Sequence, residues 1–471
     1  MNGVSSNFDS AIGGCSELCF NLPIPLGCRS IGTEDFWMKF GSTLMISFLL
    51  ATLPLAAQAL PGAGGTPPSA QQELARDIFK ELIEINTTDS SGNTTRAAEA
   101  MAARLRAAGY PAADVQVLGP NPRKGNLVAR LRGTGSGKPI LLLAHLDVVE
   151  ARREDWSFDP FKFLERDGYF YGRGTNDIKS GDALLIANLI RLKREGFKPD
   201  RDLIVALTAD EEGGDSNGVS WLLQNHRELI DAEYCLNTDG GGGEIKDGKH
   251  WVNELQTSEK VYLSFRLETR NRGGHSSLPV KDNAIYELAE GLTRLAKFDF
   301  PVKLNETTRA YFEQMSKVET GQAARDMRAA AQIPPDPAAV SRLTSASPYF
   351  NSLMRTTCVA TRLEGGHADN ALPQTARATV NCRLLPGESP QEVQRTLTRV
   401  LADDKITISP VNKPNPSPPS PLRPEIVRAT DRITAELWPG VPVVPVMSTG
   451  GDRRALSPHR RHAHVWCLRT F

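Results

Sequence analysis

The chain has 471 residues, 55 lysines plus arginines against 55 aspartates plus glutamates, and 40% hydrophobic content. That length allows about two to four domains with sizeable cores, and the even charge balance supplies no global basic field for a nucleic-acid partner. The seven cysteines form no CxxC pair, which argues against a zinc ribbon and against a disulfide framework.

Met38 opens a stretch with the marks of a secretory signal. Lys39 supplies a positive start, Leu44 to Leu55 a mostly apolar run, and Ala57-Gln58-Ala59 an A-x-A cleavage site. The run is short and broken by Pro54, so it makes a poor membrane span. Met38 is the expected start, with residues 1–37 an over-extended gene start and cleavage expected after Ala59. Cleavage would export the protein to the periplasm or beyond, with no membrane attachment afterwards. Residues 60–71, rich in Gly and Pro, read as a linker.

From Gln71 the text becomes periodic. Leu74, Ile78, Leu82 and Ile83 share one helical face, and a second helix ends at Gly109. "NLVARL" and "PILLLAHLDVV" read as strands, the second apolar throughout, as a strand buried on both faces of a mixed or parallel sheet requires. Helix, strand, helix and strand follow, through "DLIVALTADEE" and "AEYCLNTDGGGG". This alternation predicts an α/β sandwich. After Trp251 the character changes to alternating, half-exposed strands and helices, an inserted α+β module. The expected division is 72–256 for the first part of the catalytic domain, 257–385 for the insert and 386–452 for the second part, entered through a Pro-rich stretch.

Ligands in open α/β sheets sit beyond the carboxyl ends of strands. Those ends carry His145 and Asp147, then Glu211 and Glu212, then Asp239; a glycine-rich loop between them adds Asp177 before a helix. Carboxylates crowded on one rim repel, and a bound cation removes that cost. One imidazole with several carboxylates suits a divalent, zinc-type ion, and the surplus of carboxylates suits two ions sharing a bridge. Residues i and i+2 of a strand point the same way, so Asp147 can hold the far nitrogen of His145.

The ordered set "LLLAHLDVV", "GYFYGRGTNDIKSG", "LTADEEGG", "NTDGGG", "GGHSSLP" and "NALP" resembles the di-zinc aminoacylase/glutamate-carboxypeptidase family, in particular its secreted carboxypeptidase and N-acyl-amino-acid hydrolase branch, from about residue 72 to 450. The resemblance implies a di-zinc exopeptidase-like α/β sandwich with an inserted lid or dimerisation domain, and hydrolysis of peptide or N-acyl amino acid amide bonds. It implies two Zn2+ per subunit, with Co2+ or Mn2+ as alternatives. His145, Asp177 and Asp239 would bind one ion; Asp177 would bridge to a second, also held by Glu212. Glu211 would be the general base and Asp147 the partner of His145. His275 would reach a neighbouring subunit's site in a homodimer, and Asn370 and Arg383 would contact substrate oxygens and carboxylate.

The tail departs from that pattern. Residues 453–471 are arginine-rich and aperiodic, with His459, His462 and His464 close together. A one-base shift would turn them into a helix, a turn and a strand, with Trp466-Cys467 forced to yield glycine. On that expectation the histidines are not evolved ligands, and the family's last His ligand is missing. The chain as written would then be a catalytically impaired remnant with an unfilled sheet edge.

Overall fold

The computed structural model describes residues 69–411 and 418–450 and the backbone of Ala463–Trp466. The expected signal segment and the side chains of the tail histidines lie outside the described residues.

The long apolar run forms the strand Gly137–His145 at the heart of a six-stranded sheet. The strand order is Val115–Leu118, Asn126–Leu131, Arg201–Thr208, Gly137–His145, Tyr234–Asn237 and Ala463–Trp466. The first two pairings are antiparallel and the remaining three parallel. Alternation along the central strands sends Leu141, Leu143 and Ile204 to one face, against Leu222 and Ile230. It sends Ala144, Val205 and Leu207 to the other, against Ile78, Leu82, Met101 and Ile186 of three helices. Both faces are therefore covered, which is why the strand text is apolar throughout. The strand Ala463–Trp466 lies parallel to Tyr234–Asn237, so the sheet edge expected to be unfilled is occupied.

A four-stranded sheet forms the inserted module, in the order Thr357–Gly365, Thr375–Leu384, Val261–Arg270 and Thr407–Pro410. Helices Ala284–Ala296 and Pro390–Leu401 cover one face, through Leu288, Leu295, Val393, Leu397 and Leu401. The insert thus runs on to the strand ending at Pro410 rather than stopping at 385. The apolar stripe of Pro390–Leu401 fits this sheet, although its sequence alone names no partner. Within the same stretch, the helices of 306–354 turn away from it. Phe312, Met315, Met327 and Leu343 pack instead on Val444, Val446 and Met447, from a separate three-stranded sheet that contains Lys249–Glu259 and Val443–Ser448.

The chain thus passes repeatedly between the two halves, and the passages are tied together. Buried Lys260 donates from Nζ to Arg355 O (2.8 Å) and Thr357 Oγ1 (3.2 Å), and from its backbone to Ser448 O (3.0 Å). Lys303 N reaches Met354 O at 2.8 Å and its Nζ pairs with Glu388 at 2.6 Å. Thr356 Oγ1 donates to the same Glu388 carboxylate. Ser420 N returns to Thr257 O at 3.0 Å.

Cys358 and Cys382 are joined in a disulfide, against the expectation drawn from the cysteine pattern. They face each other across adjacent antiparallel strands with Cα atoms 4.1 Å apart, the close approach of a non-hydrogen-bonded pair. Cross-strand pairing of this kind leaves no spacing signature in the chain.

Candidate metal centre

The rim at the carboxyl ends of the parallel strands gathers the expected residues. His145 closes the strand Gly137–His145; Glu211 and Glu212 lie in the loop after Arg201–Thr208; Asp239 lies two residues past Tyr234–Asn237. Asp177 sits before the helix Lys179–Arg194, preceding a cis peptide to Ile178. That helix starts hard against the rim: a Cβ on Gly181 would stand 2.5 Å from Thr238 Oγ1, so only glycine lets it approach.

His145 is 2% exposed. Its Nε2 lies 3.1 Å from Asp177 Oδ1, 3.6 Å from Asp239 Oδ2 and 3.9 Å from Glu211 Oε2. Donor atoms of His145, Asp177 and Glu212 lie within 4.8 Å of one another, and so do those of His145, Glu211 and Asp239. The second group differs from the expected ligand set, because Glu211 stands as close as a ligand would.

Asp147 does more than the expected task. The nearest partner of His145 Nδ1 is the Asp147 main-chain oxygen at 3.0 Å, with the carboxylate at 3.6 Å. The carboxylate instead accepts the backbone N–H groups of Glu211 (3.0 Å) and Glu212 (2.9 Å). Asp147 thus faces an imidazole on one side and holds the glutamate loop on the other. Burial opposes its charge, but His145 and the two backbone donors outweigh burial and lower its pKa.

The electrostatics identify what the site wants. Burial raises Glu212 first, and the charge of Asp177 adds to it, to about 7. Burial favours neutral His145, yet Asp147, Asp177 and Asp239 together lift its pKa well above the usual value. Each ring nitrogen of His145 faces an acceptor, a set of carboxylates that a cation would serve better than a protonated imidazole. Asp177, Glu211, Glu212 and Asp239 sum to four negative charges when ionised, which two divalent cations neutralise. A hard carboxylate set with one imidazole is chemistry that a divalent ion fits.

His275 and Asn370 come together as a pair on the inserted module, across a short ribbon of Gly274–His275 with Ala371–Leu372. Asn370 Nδ2 lies 3.3 Å from His275 Nε2, and His275 Nδ1 lies 2.8 Å from Ser277 Oγ. Arg383 lies on the open face of the inserted sheet, its guanidinium 4.7 Å from the Tyr262 ring centre and its Nε 3.3 Å from Asn381 Oδ1.

Among the buried charged residues that went unnoticed in the sequence, three lie close to the rim in the chain. Lys179 Nζ donates to Leu82 O and Ile85 O, both at 2.8 Å, and burial brings its pKa to about 7. Asp182 is fully buried with neither carboxylate oxygen hydrogen-bonded, and burial raises its pKa well above the usual range. Asp210, also fully buried, precedes the glutamate pair. Its charged side chain at the end of an apolar strand was the one available signal.

The model of the peptidase family M20/M25/M40 matches residues 141–465. That match runs into the tail expected to be out of frame. The chain is 28% identical over 441 residues to the N-fatty-acyl-amino acid synthase/hydrolase PM20D1 of Xenopus tropicalis, covering 88% of this chain and 85% of that protein. It is 30% identical over 345 residues to a probable carboxypeptidase S-like 2 of Dictyostelium discoideum, covering 70% of this chain and 63% of that one, so under two thirds of its length. The fold is similar to that of an M20 family metallo-carboxypeptidase from Sulfolobus solfataricus, with a TM-score of 0.55 at 17% identity over 80% of this chain and 87% of that one.

Proposed function

This chain belongs to the peptidase family M20/M25/M40, and from that premise we propose that it hydrolyses the amide bond joining an acyl group to an amino acid with a free carboxylate. It is an enzyme, a metal-dependent hydrolase of the carboxypeptidase and acyl-amino-acid hydrolase type. An N-acyl amino acid and the last bond of a peptide share the proposed chemistry, and the names of the two relatives support both. The observation that carries the proposal is the meeting of His145, Asp177, Glu211, Glu212 and Asp239 donors on one rim.

Two zinc ions are the proposed cofactors. His145, Asp177 and Asp239 would hold one ion, and Asp177 and Glu212 would hold the other. Zinc in such a site supplies Lewis acidity, polarising a carbonyl and bringing a water's pKa to about 7. Glu211 takes the proton of the attacking water and delivers it to the leaving nitrogen. Asp147 keeps Glu211 and Glu212 in register through their backbone N–H groups. Arg383 receives the substrate carboxylate, with a planar fork suited to it. His275 and Asn370 serve the acyl oxygen in the site of a neighbouring subunit, within a homodimer. Exposed Val359 and Leu363 on the outermost strand of the inserted sheet support that assembly. Export is proposed as well. The Cys358–Cys382 disulfide suits an oxidising compartment, and no helix of the described residues is long and apolar enough to cross a membrane.

The test measures metal content and amine release from N-dodecanoylglycine and from an N-blocked dipeptide. Glu211→Ala is expected to abolish release while keeping bound metal, because a base touches water rather than the ion. Asp177→Ala is expected to lower metal at both positions. Full turnover by Glu211→Ala removes the base assignment, and unchanged stoichiometry in Asp177→Ala removes the bridge.

A further inference from the structure

Glu211 and Glu212 lie in a loop held at two ends. In front, the Asp147 carboxylate accepts both backbone N–H groups. Behind, the loop turns at Asp210, a non-glycine residue with φ +55° whose side chain is buried. Its Oδ2 accepts Ser216 N at 3.0 Å and its carbonyl accepts Asn217 Nδ2 at 3.0 Å. The loop folds so closely over this carboxylate that a Cβ on Gly214 would lie 2.2 Å from Oδ2.

The remaining Asp210 oxygen meets Lys124. Its Nζ lies 2.5 Å from Asp210 Oδ1 and 2.6 Å from Asp89 Oδ1, and the residue is 8% exposed. Asp89 belongs to the loop between helices Ala70–Ile83 and Thr94–Ala107. That loop also touches the segment after His145, through a bridge from Thr88 to Val148 and through Ser90, which donates to Glu150 from N (2.9 Å) and Oγ (2.7 Å). One ammonium therefore joins the turn behind Glu211 to the loop that contacts Val148 and Glu150, in the segment that carries Asp147. A non-glycine residue in the left-handed region is strained and persists where surrounding contacts over-determine it.

We propose that Lys124 is a positioning residue for the hydrolysis: by gripping Asp210 and Asp89 it fixes the direction in which Glu211 presents its carboxylate. The proposal rests on the reading of Glu211 as the base. The partners of Lys124 are Asp210 and Asp89, neither of them a proposed metal ligand, so its expected effect is on kcat, with KM and bound metal kept.

The experiment compares Lys124→Met, the double variant Lys124→Met/Asp210→Asn and Glu211→Gln in the full chain, reading kcat, KM, metal per chain and Tm. Lys124→Met is expected to lower kcat by about 100-fold, the scale of a misplacement near 1 Å, with metal per chain unchanged. It also lowers Tm, because a buried carboxylate loses its partner. The double variant removes that buried charge while asparagine keeps the left-handed turn and the bond to Ser216. Its Tm is expected to return towards wild type while kcat stays at least about tenfold down, since the tie to Asp89 is still broken. This variant carries the test if Lys124→Met does not fold. Recovery of kcat together with Tm in the double variant overturns the proposal, leaving Lys124 as a counter-ion only. Loss of metal in proportion to kcat also overturns it. If Glu211→Gln turns over normally, the base reading fails and takes the proposal with it; an inactive Glu211→Gln beside a fully active Lys124→Met fails the positioning role alone.

Discussion

Asp182 is a carboxyl group on a rim already crowded with acids, and neither of its oxygens is hydrogen-bonded. An unsatisfied buried polar group costs about 1–3 kcal/mol, so Asp182→Leu is expected to stabilise the protein by that amount in thermal or denaturant unfolding. Because burial raises its folded pKa, the carboxyl is tolerated in acid and becomes costly as pH rises; the gain from leucine therefore grows above the ordinary carboxylate range. Glu212 follows the same sign. Its folded pKa of about 7 stands above the ordinary 4.5, so metal-free protein loses stability as pH climbs through 7. His145, raised in the folded state, also stabilises metal-free protein only while protonated. Metal binding needs both groups deprotonated. The difference in Tm between metal-loaded and chelator-stripped protein is thus expected to widen from about pH 5.5 to pH 8, with apparent affinity rising about tenfold or more per unit. A constant difference would show that these two groups do not compete with the ion. The rim residues other than Asp177 were legible in the sequence because each follows a buried apolar run at a strand end, while Asp177 stood out in a glycine-rich loop before a helix. Lys124 was not, since its contact with Asp210 joins positions 86 apart and nothing local distinguishes it from a surface lysine.

At the scale of elements, strands and helices were readable from periodicity, while their partners were not. Helix Pro390–Leu401 has an apolar stripe that would suit either half of the molecule; only the structure sets it on the inserted sheet. The helices of 306–354 lie between two strands of that sheet in sequence, yet pack elsewhere. The disulfide is a further case, because register across two strands decides it. It closes a loop with a sequence separation of 24, for which constraint of the unfolded chain is worth about 3 kcal/mol. Reducing the protein, or replacing both cysteines by alanine, is expected to lower stability by about that much. Calorimetry with and without reductant measures it, and coincident Tm values would show that the bond adds nothing.

For the whole molecule, the strand Thr357–Gly365 lies at the end of its sheet among the described residues and carries Val359 at 61% and Leu363 at 66% exposure, and a sheet edge invites a second strand. Val359→Asp with Leu363→Asp is expected to convert a dimer to a monomer by light scattering, and to lower turnover if His275 acts across the interface. A wild-type monomer at micromolar concentration would count against both. The tie at Lys260 has a consequence for motion. The passages between the two halves at 259–261, 303–305 and 354–357 share Lys260, Lys303, Thr356 and Glu388, and the return at 418–420 lands beside Thr257. A cap hung on separate threads could drift in any direction. Because the passages of the inserted module meet around one buried amine, any movement it makes is expected to pivot at Lys260.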